Sequence, residues 1–221
     1  MKREPASHSH WPLVICAASI LLITMGIRQS LGLFVLPIVA ASHVSIEAIS
    51  FALAIGQLMW GAAQPVMGAM AHRYGARPVM IVGTFLMAAG VALTPWATSE
   101  WSLVLTLGVL MAVGAAAGSF SILVGIAAQG IPSHRQSTAT GFINAGGSLG
   151  QLVFAPLAQF FIKGPGWNIG LLVMGASTLL AIPLIGLLRG GKRDVAPVAS
   201  AENRAATSRP QPRLWGSRSG S

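Results

Sequence analysis

Six stretches of this chain are each apolar enough and long enough to cross a lipid bilayer, which leaves few folds open to it. A spanning helix needs about 20 predominantly apolar residues to match a hydrocarbon layer roughly 30 Å thick. Residues 11–40, 46–71, 78–97, 101–130, 137–162 and 167–188 meet that requirement. No water is present in such a layer, so every backbone amide must be bonded within its own segment, and helices are the elements expected. Composition agrees: 53% of residues are hydrophobic and 9% charged, and mean hydropathy is +0.69. Too few charges remain to cover a soluble globule. The expected fold class is an all-α membrane protein of six transmembrane helices.

The charges that do occur are sorted. Lys2, Arg3, Arg73, Arg77, Arg135, Arg189, Lys192 and Arg193 fall at the N-terminus or in even-numbered connections, while the opposite connections hold Glu47, Glu100 and only Lys163. Cations collect on the cytoplasmic side, so this distribution predicts a multi-pass protein with both termini cytoplasmic. Residues 1–10 read as a cytoplasmic N-terminus and 11–189 as the transmembrane domain. Residues 190–221 read as a disordered cytoplasmic tail, rich in Ala, Ser, Arg, Gly and Pro without apolar periodicity. The net charge of +9 is therefore mostly a topology signal, and the chain offers no basic folded reading surface for nucleic acid. The first apolar run is too long for a secretory h-region, and Cys16, the sole cysteine, has no partner for an intrachain disulfide.

Polarity also varies from span to span with a helical period. In the second span Ser50, Ala54, Gln57, Gly61, Gln64 and Gly68 recur at steps of three and four, and in the fifth Ser137, Thr140, Asn144, Ser148, Gln151, Ala155 and Gln159 do the same. Gly114, Gly118, Ser121 and Gly125 line one side of the fourth, and Thr24, Arg28 and Gly32 one side of the first. The third span offers only Thr84 and Thr94 for side-chain hydrogen bonding; the sixth has Ser177 and Thr178, with Asn168 at its edge. Helices one, two, four and five should therefore surround a polar centre, with three and six toward lipid. Two polar helices followed by an apolar one, occurring twice, is the pattern of an inverted three-plus-three repeat. Small residues such as Gly146 and Gly150 also suit close helix packing. Pro37, Pro65 and Pro156 each remove a backbone hydrogen bond within a span and predict bends. The long first segment predicts a break near residues 26–32.

Arg28 is the one charge deep inside a span. An arginine at a helix centre costs roughly 2.5 to 3.5 kcal/mol on insertion scales, so it normally faces a cavity or a partner. An anionic solute is one such partner; amides or helix-end carbonyls are the structural alternative. Gln57, Gln64, Asn144 and Gln151 are the candidate orienting amides and Trp60 a candidate wall. Nothing resembles an enzyme centre: the spans hold no carboxylate pair and no histidine cluster. His8 and His10 support adventitious metal binding at most, and no cofactor is expected.

The connection Gly68-Ala69-Met70-Ala71-His72-Arg73-Tyr74-Gly75-Ala76-Arg77 resembles the loop signature of the major facilitator superfamily. Gly68, Arg73, Gly75 and Arg77 fit it, while His72 stands where the family usually has aspartate. The resemblance implies that these residues shape a cytoplasmic gate, with the latch normally made by the acid altered here. Gly26-Ile27-Arg28-Gln29-Ser30-Leu31-Gly32-Leu33-Phe34, followed by Trp60-Gly61-Ala62-Ala63-Gln64-Pro65, is similar to bacterial members related to monocarboxylate transporters. That implies a secondary transporter of the bacterial inner membrane for a small organic anion, working by alternating access, with a proton as candidate coupling ion. The fourth span lacks the family's proton-linked arginine with Gln-Gly, and the fifth lacks a clear antiporter glycine-proline signature, so the coupling mode stays open.

Superfamily members usually have two six-helix halves, and this chain reads as the N-terminal one. A truncated or frameshifted product is one expectation, made the leading one by the arginine, serine and glycine bias after Asn203. A second six-helix half, from another copy or chain, is the other. The rival function is a transport-inactive membrane fragment or accessory half.

Overall fold

The computed structural model describes residues 11–41, 44–131 and 133–188. The expected N-terminal segment, with His8 and His10, Arg189 and the expected tail 190–221 lie outside those residues. Within them are six helices long and apolar enough to cross a membrane: Trp11–Ala41, Ile46–Tyr74, Ala76–Trp96, Glu100–Ala127, His134–Lys163 and Trp167–Leu187. They agree with the six segments read from hydropathy to within a few residues, because length and apolarity alone select them.

The helices pack in a pattern that returns to itself when spans one, two and three are exchanged for four, five and six. The first span lies along the fifth and the second along the fourth; the first also meets the sixth as the fourth meets the third. Spans three and six touch each other, as do one and four. Successive spans run in opposite directions, so the two triplets are inverted relative to each other, as an inverted three-plus-three repeat requires. The connections repeat too. Gly75 (φ +93°) precedes the third span and Gly166 (φ +114°) precedes the sixth, and they are the positive-φ residues of the described chain. In that region a Cβ crowds the following carbonyl, which restricts the turn to glycine.

Close approach of backbones joins the first span to the fifth. A methyl group at Gly26 would stand 2.6 Å from the carbonyl carbon of Gly150, and one at Gly150 would stand 3.0 Å from the Cα of Gly26. Gly146 faces the backbone of Ala18 in the same way. The packing role read for Gly146 and Gly150 is thus borne out: small residues let helices touch where lipid supplies no hydrophobic drive.

Outward faces differ by span. The third exposes Val82, Phe85 and Leu93 and the sixth Ile169, Leu172 and Leu180, while their hydroxyls turn inward onto their own helices. Thr84 donates to the Met80 carbonyl at 2.8 Å, Thr94 to Gly90 at 2.8 Å and Ser177 to Val173 at 2.7 Å. These faces suit lipid. Spans two and five are the least covered of the six, and what they leave open includes their polar stripes.

Regularity fails where the sequence hinted and where it did not. The first span tightens to a 3-10 turn at Leu31–Phe34, overlapping the expected break and setting off the segment with Pro37. The second and fifth helices continue through Pro65 and Pro156. The fourth span is the unexpected one. It passes through a π-helical stretch at Val104–Met111 and breaks at Gly118, restarting at Phe120 behind Ser119 in extended conformation. Its stripe is divided accordingly: Gly114 abuts Met87 and Gly83 of the third span, whereas Gly118 abuts Thr24 of the first.

Candidate functional site

Arg28 lies within the first span, three residues before the 3-10 turn, and its side chain reaches to the second. Its Nη2 donates to Oε1 of Gln57, and its Cζ sits 4.2 Å from the centre of the Trp60 ring. A guanidinium over an indole is worth about 0.5 to 2 kcal/mol depending on desolvation. Gln57 and Trp60 are three residues apart on one helix, so they present side by side. Among the described residues the cluster is therefore built from two spans with one residue of cationic character and no carboxylate. Trp60 Nε1 is buried and has no hydrogen-bond partner among the described residues.

The local fold explains the position of Arg28. Thr24 donates to the Ile20 carbonyl at 3.0 Å and Ser30 to the Gly26 carbonyl at 2.8 Å, so the neighbouring hydroxyls are absorbed by their own helix. Ile27 and Leu31 are buried while Arg28 is half-buried and Gln29 exposed. The arginine thus points along the edge of the first helix toward the second, away from the tightly packed seam with the fifth.

The other predicted amides do not join this cluster through hydrogen bonds. Gln64 is half-buried, and Asn144 and Gln151 are exposed on the fifth span. Their spacing nevertheless repeats that of the second span: Gln57 and Gln64 are seven residues apart, as are Asn144 and Gln151. Residues of one stripe therefore have counterparts on the other across the inverted repeat. Sequence reasoning missed Ser119, whose hydroxyl is buried and unpartnered among the described residues at the break in the fourth span. The adjoining Gly118-Ser119 pair was the available signal, since such pairs are common sites of helix distortion.

At the end of the bundle that holds Tyr74 and Leu188, the predicted loop residues form a compact turn. Gly75 alone separates two helices. His72 is exposed, Gly68 is half-buried, and Arg73 lies 5.4 Å from the ring of Tyr74. Arg77 turns back into the bundle, where its Nε donates to the Leu188 carbonyl at 2.5 Å. That bond ties the start of the third span to the end of the sixth and satisfies a carbonyl left free at a helix C-terminus.

The family model of the Major Facilitator Superfamily matches residues 16–219. The chain belongs to the major facilitator superfamily. Among its relatives are monocarboxylate transporter 11 of Mus musculus, 34% identical over 81% of this chain and 40% of that protein, and monocarboxylate transporter 13 of Bos taurus, 30% identical over 81% and 42%. Monocarboxylate transporter 11 of Homo sapiens is 31% identical over 80% of this chain and 38% of that protein. The chain spans about two fifths of the length of these relatives. The superfamily match and the six spanning helices agree with the superfamily and the multi-pass membrane architecture read from the sequence.

Proposed function

We propose that the chain forms one half of a secondary transporter that moves a small organic anion, a monocarboxylate, by alternating access. The observation that carries this reading is Arg28, a cation inside a membrane span whose acceptor is a neutral amide. A charge in that setting attracts an anion strongly, because the low-dielectric surroundings weaken its screening. Arg28 binds the carboxylate, Gln57, Gln64, Asn144 and Gln151 offer orienting hydrogen bonds, and Trp60 forms a wall. Gly68, His72, Arg73, Gly75 and Arg77 form a gate at the cytoplasmic end.

A second six-helix half completes the path, and this half rocks against it around the midplane site. Support for this partner comes from spans two and five, whose exposed amides face outward and are costly against hydrocarbon. Arg73, Arg77 and Arg135 lie at one end of the bundle, with Glu47, Glu100 and Lys163 at the other, which favours both termini on the cytoplasmic side of a bacterial inner membrane. A proton is the candidate coupling ion.

Uptake of radiolabelled lactate and pyruvate into cells expressing the chain tests the proposal. Saturable uptake that Arg28→Gln abolishes is expected. Absence of saturable flux, with the protein inserted in the membrane, would make it an accessory half instead.

A further inference from the structure

Among the described residues Arg28 meets a neutral oxygen and an aromatic face, and no negative charge. Its Nη2 donates to Gln57 Oε1, and its guanidinium lies over Trp60. The acids among the described residues, Glu47 and Glu100, open the second and fourth spans and neither pairs with it. Glu47 stands ten residues before Gln57, about 15 Å along a helix. A guanidinium presents five N–H donors in a planar fork that matches two carboxylate oxygens at once. One amide oxygen satisfies a single donor and neutralises nothing.

We infer that Gln57 is a positioning residue that stands in for the substrate's carboxylate. Its oxygen holds one N–H of Arg28 while the site is empty, keeps the fork aimed between the first and second spans, and gives way when an organic anion arrives. The inference rests on the anion reading of Arg28 and replaces the orienting bond proposed for Gln57 with competition against the carboxylate for the guanidinium. A placeholder stabilises the empty site, so it weakens the affinity it prepares for. The exchange is favourable because a carboxylate accepts two N–H bonds of the fork at once and supplies the counter-charge that a single amide oxygen lacks. Trp60 keeps the guanidinium in plane during the exchange, since stacking holds its face and leaves its edge free.

The full chain in lipid nanodiscs, titrated with lactate and with neutral lactamide while tryptophan emission and thermal unfolding are followed, tests this. Lactate is expected to bind and lactamide not. Gln57→Ala should bind lactate about three- to tenfold more tightly, the equivalent of one competing hydrogen bond. Gln57→Glu, which supplies a tethered carboxylate at high effective concentration, should weaken lactate at least about a hundredfold while unfolding no earlier than the unmodified chain. Weaker lactate binding by Gln57→Ala would make Gln57 a direct ligand and overturn the inference. Unchanged lactate affinity in both variants would reduce it to a structural amide and overturn it equally. Lactate affinity unaffected by Arg28→Gln would instead overturn the anion reading itself, a result separable from the other two.

Discussion

The two three-helix repeats carry matching amides and unequal charge. Ser50, Gln57 and Gln64 on the second span are each seven residues apart, and so are Ser137, Asn144 and Gln151 on the fifth. Both repeats reach their last helix through a positive-φ glycine, Gly75 or Gly166. The helices beside the stripes differ. Both the first and the fourth spans are interrupted about twenty residues in, yet the first carries Arg28 just before its 3-10 turn and the fourth carries only Gly118 and Ser119 at its break. The neutral scaffold is thus duplicated and the cation is not. A second arginine at the equivalent place would repel the first across a poorly screened interior, and the monoanion proposed as substrate calls for one counter-charge. Symmetry serves packing here, and under the proposed function asymmetry serves recognition.

Removing the cation should have the largest effect on this comparison. Arg28→Gln is expected to weaken carboxylate binding by about 3 kcal/mol or more, over a hundredfold, read from lactate titrations, and Asn144→Arg in the second repeat should not restore it. Next comes the seam between the repeats. Gly150→Leu is expected to destabilise the bundle by about 3 kcal/mol, because the helix backbones already touch there, whereas Gly61→Ala, whose added methyl would meet nothing within 4 Å, should unfold no earlier in detergent than the unmodified chain. The two glycine turns should respond alike: Gly75→Ala and Gly166→Ala should each cost about 1 to 2 kcal/mol for a Cβ at positive φ, measured as matched shifts in unfolding. The smallest effect belongs to the paired amides. Gln64→Leu and Gln151→Leu should each lower lactate affinity by about 1 kcal/mol; a large inequality between them would show that the path is as asymmetric in its amides as in its charge.

Much of this was legible before any coordinates. Six apolar runs dictated six helices, since the bilayer offers a chain no other way to satisfy its amides. The stripes on spans two and five could be read from period alone, because a helix converts spacing into a face. Arg28 identified itself by the cost of a charge in that setting. Gly75 was also visible, although the loop pattern pointed to it before its backbone angle supplied the reason.

Other features depend on which helix lies beside which, and periodicity carries no such information. That Arg28 turns to Gln57 and Trp60, while Gln64, Asn144 and Gln151 make no hydrogen bond to it, follows from which part of the second span lies within reach of its side chain. The partner of Arg77 is a carbonyl more than a hundred residues away, a contact that only the docking of the third span on the sixth creates. The π stretch and break in the fourth span arise where it is squeezed between the second and third helices and the first, as the contacts of Gly108, Gly114 and Gly118 show. Sequence by itself determined that this chain is a six-helix membrane protein with one intramembrane cation and two polar stripes, because length, apolarity and helical period are local properties. The neighbours of each polar side chain, and with them the composition of the site, were decided by tertiary packing, because those contacts join residues distant in the chain through close backbone approach.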